Sequence, residues 1–101
     1  KGAEKMVQAL DEKSVLTALE SLPRWSFSKD KILRNYEFKD HLEAMAFLNA
    51  VAFYAEKTCH HPEVFLCYNK VSLAYQTHDA GGKVTQKDID SAQHMEELLA
   101  K

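Results

Sequence analysis

The stretch DHLEAMAFLNAVAFYAEKT, residues 40–58, decides the fold. Asp40-x-x-Glu43 has the form of a capping box with aspartate as the cap, and it opens a helix expected over about 41–58. The apolar positions Leu42, Met45, Ala46, Phe47, Leu48, Val51, Ala52, Phe53 and Tyr54 follow. They cover more than the stripe of about 100° that a helix needs to sit on one face of a sheet. A wider arc implies burial on a second side, and in a chain this short that side is expected to be another subunit. The plainer alternative is that the small residues Ala44, Ala46, Ala50 and Ala52 inflate the arc.

Strand patterns flank this helix on both sides. Upstream, Ile32, Arg34, Tyr36 and Phe38 alternate with Leu33, Asn35 and Glu37, the period of a half-buried strand. With Trp25 and Phe27 before it, the segment Arg24–Phe38 reads as a hairpin turning at Ser28-Lys29-Asp30-Lys31. Further upstream, Asp11 is a good N-cap for a helix carrying Val15, Leu16, Leu19 and Leu22, which Pro23 ends. Downstream, a short strand from Val64–Phe65 reaches Tyr68, and Lys70–Thr77 alternates with Val71, Leu73 and Tyr75 on one face. Asp79–Lys83 is a flexible turn. Thr85-x-x-Asp88 then caps a last helix with Ile89, Ala92, Met95, Leu98 and Leu99 on its apolar side. The order is α-β-β-α-β-β-α. Paired strands predict an α+β domain: a four-stranded antiparallel sheet with helices packed on one face. The domain is expected to span residues 1–101, with residues 1–10 either disordered or foreign to it.

Composition narrows the function classes. The chain has 101 residues, 46% hydrophobic and 28% charged, which suits one folded domain. At this size folding removes about 60–65% of the unfolded chain's surface from water, so stability should be modest unless subunits assemble. The formal net charge of −2 gives no general attraction to nucleic acid or anionic membranes. There is no run of 18 apolar residues and no secretory signal pattern. Cys59 and Cys67 make no metal or redox spacing and read as free thiols in a reducing compartment, the cytoplasm.

The chemistry concentrates in Glu56-Lys57-Thr58-Cys59-His60-His61-Pro62 and in His78. Imidazole is the side chain whose ordinary pKa lies nearest neutrality. If the central helix continues to position 60, Glu56 and His60 share a face and touch. That carboxylate and the helix C-terminus would both favour imidazolium. His61 precedes Pro62 and is held extended, so its ring should point away from that of His60. His78 joins them only if the last strand lies beside the exit of the central helix. Three interpretations stand at this level: packing residues, a three-histidine zinc site, or metal-free acid–base catalysis. His41 and His94 read as structural, Cys59 as a buried inert thiol, and Trp25 as a core residue whose alternative use is a wall for a flat ligand. No phosphate loop or serine-hydrolase elbow occurs.

Glu56-x-x-x-His60-His61-Pro62, followed at fixed spacing by Tyr68, His78 and Asp88, resembles the signature of the pterin-4a-carbinolamine dehydratases. Tyr68-Asn69-Lys70-Val71, Thr77-His78 and Phe38-Lys39-Asp40 are similar to that family too, and the resemblance spans residues 11 to 95. It implies dehydration of 4a-hydroxytetrahydrobiopterin to quinonoid dihydropterin in tetrahydrobiopterin recycling. It makes His60, His61 and His78 the catalytic groups. Glu56 and Asp88 orient or tune them, Trp25 lines the pocket, and Pro62 and Thr77 support substrate binding. No metal and no cofactor is implied, since the pterin is the substrate. A homotetramer is implied as well. Animal members also bind a homeodomain transcription factor and stabilise its dimer. A coactivator acting in the nucleus is therefore the alternative function. Compared with animal members, Cys59 replaces an aspartate, Val64 replaces an aromatic, the Gly81-Gly82 turn is one residue longer, and the loop before Trp25 is shorter.

Overall fold

The structure, a computed structural model, describes residues 8–100. Its elements are α1 (Glu12–Leu19), β1 (Ser26–Ser28), β2 (Lys31–Glu37), α2 (His41–Thr58), β3 (Glu63–Cys67), β4 (Lys70–Tyr75) and α3 (Gln86–Leu99). A single 3₁₀ turn, His78–Ala80, lies between β4 and α3. The four strands form one antiparallel sheet in the order β1-β2-β4-β3. The expected α+β architecture is present in the expected order.

Local chemistry explains the boundaries. The Asp11 carboxylate accepts the Ser14 amide at 2.8 Å and starts α1. That hydrogen bond holds the Asp11 carboxyl below its usual range. The cap is therefore intact above the ordinary carboxylate range and is lost as pH falls through the lowered value. Asp40 accepts the Glu43 amide at 2.9 Å, while the Glu43 carboxylate reaches back to the Lys39 amide at 2.7 Å, one residue before the cap. β1 turns into β2 through Lys29 and Asp30, both at positive φ (53° and 65°), the backbone of a tight hairpin turn. α1 stops at Leu19, short of Pro23, and Leu22 is buried in the turn that follows. β4 stops at Tyr75, two residues short of the expected end, and His78 lies in the 3₁₀ turn beyond it.

One face of the sheet carries the core. Ile32 and Tyr36 of β2 and Val71, Leu73 and Tyr75 of β4 meet Val15, Ala44, Phe47, Val51, Ile89, Ala92 and Met95 from the helices. Arg34 also points to this face. The Glu96 carboxylate of α3 neutralises it, and its guanidinium lies 4.2 Å over the Tyr36 ring. Burial pushes the Tyr36 phenol above its usual range. The opposite face mixes polar and apolar side chains: Ser72 donates to Asn35, Lys31 pairs with Glu63, and Phe65, across from Ser72, is exposed. Of the leading stretch, Leu10 packs against the core and its amide donates to the Val84 carbonyl at 2.8 Å. Residues 1–7 lie outside the described residues. Among the described residues no helix is long and apolar enough to cross a membrane.

Candidate active site

The end of α2 places the first two histidines. Cys59 takes a left-handed conformation (φ 54°, ψ 38°). Its amide donates to Glu56 O, and the His60 amide donates to Ala55 O at 3.1 Å. This is a Schellman stop, with cysteine at the position that glycine usually fills. The turn reverses the chain before position 60. The expected contact between Glu56 and His60 therefore does not form. His60 swings inward, and His61 comes back over the helix so that its Nε2 lies 2.6 Å from Glu56 Oε2. Cys59 itself is exposed, not buried, because the left-handed residue leaves the helix surface.

His60 is 8% exposed and meets a different carboxylate. Its Nε2 lies 2.5 Å from Asp88 Oδ1, in the first turn of α3. Asp88 is fully buried. Its Oδ2 accepts the Thr77 hydroxyl at 2.8 Å and the Thr85 amide at 2.8 Å. Buried charge is tolerated only when it is paired and hydrogen-bonded, and this carboxylate has three donors from three parts of the chain. A carboxylate accepts only, so the His60 Nε2–H donates to it, and among the described residues Nδ1 has no hydrogen-bond partner. The His60 ring also stacks on Tyr75, centroids 5.7 Å apart. Burial raises the Tyr75 phenol above its usual range.

His60, His61, Thr77 and His78 line one cleft of about 230 Å³, together with Cys59, Gln76 and Asp79. The last strand does lie beside the exit of α2, so the topology brings His78 to the other two imidazoles. A larger cavity, about 620 Å³, lies elsewhere, over Arg24, Arg34, Tyr36 and Leu99. It holds no imidazole or thiol, and size alone does not make it the seat of proton chemistry. Among the described residues no group of three or more His, Cys, Asp or Glu side chains is arranged to hold a metal ion.

Other expected site residues lie differently. Trp25 does not line the cleft: it is 4% exposed, behind Tyr75 at 6.1 Å, and its Nε1–H donates to Glu96 at 2.9 Å. Glu96 already binds Arg34, and this pairing draws the indole toward α3 and into the core. Pro62 also lies outside the lining, and its ring favours an extended backbone at His61. His41 donates to the Tyr68 carbonyl at 2.8 Å, and His94 stacks on Tyr54 at 3.9 Å, so both have packing partners. Sequence reasoning missed Gln76 and Asp79, which carry no signal beyond adjacency to Thr77-His78. The expected Thr85-x-x-Asp88 cap is present, with the Thr85 amide donating to Asp88; what the pattern did not show is the Thr85 hydroxyl's contact with Thr77.

A family model for pterin 4 alpha carbinolamine dehydratase matches residues 8–98. The chain belongs to that family. Its members are hydro-lyases, and the chain is an enzyme of this class. Two bacterial relatives named for the same dehydratase come from Thermomicrobium roseum and Acidobacterium capsulatum. The first is 43% identical over 91 residues, covering 90% of this chain and 97% of its own. The second is 47% identical over 90 residues, covering 89% and 97%. A crystal structure from Brucella melitensis, described as a transcriptional coactivator/pterin dehydratase, superposes with a TM-score of 0.83 at 37% identity. It covers 88% of this chain and 96% of that one.

Cys59→Gly should stabilise the protein by about 1 kcal/mol in urea denaturation, because glycine adopts the left-handed position without a side-chain clash; unchanged or lower stability would contradict the strain. Asp88→Asn should cost about 1–3 kcal/mol, because one of its two oxygens becomes an amide facing donors. In that variant ¹⁵N spectra should show the His60 proton no longer confined to Nε2, and a wild-type pattern would refute the assignment.

Proposed function

We propose that this protein dehydrates 4a-hydroxytetrahydropterins, 4a-hydroxytetrahydrobiopterin among them, by histidine acid–base catalysis, and so serves tetrahydrobiopterin recycling in the cytoplasm. The observation that carries the proposal is the convergence of His60, His61 and His78 on one cleft. Family membership supplies the substrate class.

The reaction requires only proton movement. The C4a–O bond breaks, the N5 lone pair forms the C4a=N5 double bond, and the hydroxyl leaves as water with a proton from an imidazolium. A second imidazole takes the N5 proton, so atoms and electrons balance without metal or redox partner. His60 suits one of these transfers, because its Nε2 is anchored on Asp88 and Nδ1 is the nitrogen free to exchange a proton. His61 is anchored in the same sense on Glu56, but at the surface. The exposed pair contributes about 0–1 kcal/mol to stability, so its use lies in orienting the ring. His78 lines the same cleft. The cleft is smaller than the roughly 300–1,000 Å³ of drug-sized sites, which suits a bicyclic ring with one side open.

General acid–base groups contribute about 10²–10⁴-fold. Stopped-flow dehydration of a 4a-hydroxypterin should therefore slow by that order in His60→Ala, and by at least about tenfold in His61→Ala and His78→Ala. Full activity in all three variants would end the acid–base proposal.

The proposal extends to a homotetramer. Leu42, Met45, Asn49, Ala52 and Phe53 are exposed on α2, at the spacing of a helix-on-helix seam. Leu42 and Phe53 are each 79% exposed, large apolar side chains on one stripe of a protein otherwise buried on the opposite side of that helix. A second copy of the same helix is the occupant proposed. Phe53→Asp should lower the solution mass in light scattering while leaving the far-UV spectrum folded. A wild-type monomer at micromolar concentration would exclude the assembly. The Brucella neighbour's description as a coactivator favours a second use of such a face, by a transcription-factor helix. A mixed complex with a candidate dimerisation domain would show it by the same method.

A further inference from the structure

We infer that Thr85, the cap of α3, is also a positioning residue that holds His60 in its working orientation through Thr77 and Asp88. The inference rests on the dehydratase reading for its kinetic consequence, and on hydrogen-bond geometry alone for its structural one.

The direction of every hydrogen is fixed. Thr77 Oγ1 lies 2.8 Å from Asp88 Oδ2 and 2.7 Å from Thr85 Oγ1. The carboxylate accepts only, so the single Thr77 hydroxyl hydrogen goes to Asp88. Thr77 Oγ1 must then accept from Thr85, whose hydroxyl therefore donates. Thr85 Oγ1 in turn accepts the Lys87 amide at 3.2 Å. The chain runs Lys87 N–H to Thr85 O–H to Thr77 O–H to Asp88 Oδ2, with every hydrogen pointing toward the carboxylate. Chains of this kind polarise one another in a dry interior. Thr85 adds a direct donor as well, its amide to the same Oδ2 at 2.8 Å. Oδ1 is left for His60.

A cap needs only an acceptor. Donation by the same hydroxyl to a residue at the end of β4 is not part of capping a helix. The turn that makes this possible is built for it. The Thr77 amide donates to Lys83 O at 2.8 Å, and the Gly82 amide donates back to Thr77 O at 3.0 Å. Gly81 and Gly82 sit at φ 73° and 75°, which bring the chain around so that residues 77 and 85 meet. Thr85 is 2% exposed and absent from the lining of the cleft, so it acts through Asp88 rather than on substrate. Its β-branch restricts χ1, which keeps the hydroxyl aimed.

The test uses the whole chain with Thr85→Val, Thr85→Ser, Thr77→Val and the double variant Thr77→Val/Thr85→Val. Thr85→Val should lower kcat about tenfold with KM unchanged, as expected when a group behind an imidazole is removed. Thr85→Ser should restore most of the loss. The double variant should be no slower than Thr77→Val alone, because the two hydroxyls act in series. Without any substrate, ¹⁵N spectra should show His60 in one tautomer in the wild type and Thr85→Ser, and a mixture in Thr85→Val and Thr77→Val. A Thr85→Val protein with a lower Tm but wild-type kcat and His60 spectrum would overturn the inference and leave only a cap. If Thr85→Val fails to fold, Thr77→Val keeps the cap and cuts the relay. An unchanged His60 spectrum in Thr77→Val would overturn the inference equally. A wild-type protein that turns over no 4a-hydroxypterin would remove the dehydratase reading, while the spectra would still decide the role of Thr85.

Discussion

The buried carboxylate of Asp88 is the constraint on which the site depends. It lies in the first turn of α3, yet its partners come from the exit of α2, from the end of β4 and from the cap of its own helix. A charge with no exposure cannot be left without donors, since an unpaired buried charge is far costlier than any single packing defect. The three segments are therefore held together by one group. The same bonds that satisfy Asp88 orient His60. Stability and site geometry share one set of contacts, so neither can be altered alone.

The sheet serves this arrangement by placing β4 in its interior. β4 pairs with β2 on one side and β3 on the other, and its helix-facing residues Val71, Leu73 and Tyr75 are 0–1% exposed. Tyr75 ends the strand and stacks on His60, so the best-packed strand delivers Thr77 and His78 to the mouth of the cleft. β3 is the contrasting edge: Val64 and Phe65 remain 50% and 61% exposed. The cleft lies at the end of this interior strand, and β3 is left as the more exposed edge.

Much of the fold was legible because each element carries its own local signal. The cap at Asp40 and the apolar period set α2 at the expected residues, and Val71, Leu73 and Tyr75 declared their buried face through alternation. The site was legible only in part. The histidines and Asp88 were visible as residue types at family spacing, but their partners were not. The pairing of Glu56 with His61 turns on Cys59 adopting a left-handed backbone, and a non-glycine residue gives no warning of that in a one-dimensional pattern. The fate of Trp25 was hidden for a similar reason. Its destination depends on Glu96, 71 positions away, which an amphipathic reading of α3 places on the solvent side. Thr85 announced itself as a cap, and its hydroxyl's second bond exists only once the glycine turn has folded.

The two carboxylate–histidine pairs are alike in chemistry and opposite in environment. His60–Asp88 has side chains 9% and 0% exposed, while His61–Glu56 has 59% and 79%. In the dry pair the ring is fixed, and any charge it gains is met by a carboxylate that water does not screen. In the wet pair the ring can move, and its charge is screened by solvent and salt. On the proposed chemistry this difference divides the labour. A fixed imidazole suits the transfer that needs geometry, where a misplaced nitrogen loses the reacting atom. An exposed one suits exchange with bulk water, which must reset the protonation state after each turnover. On that chemistry a single helix stop, at a cysteine, supplies both by turning one of two adjacent histidines inward and leaving the other exposed at the same cleft.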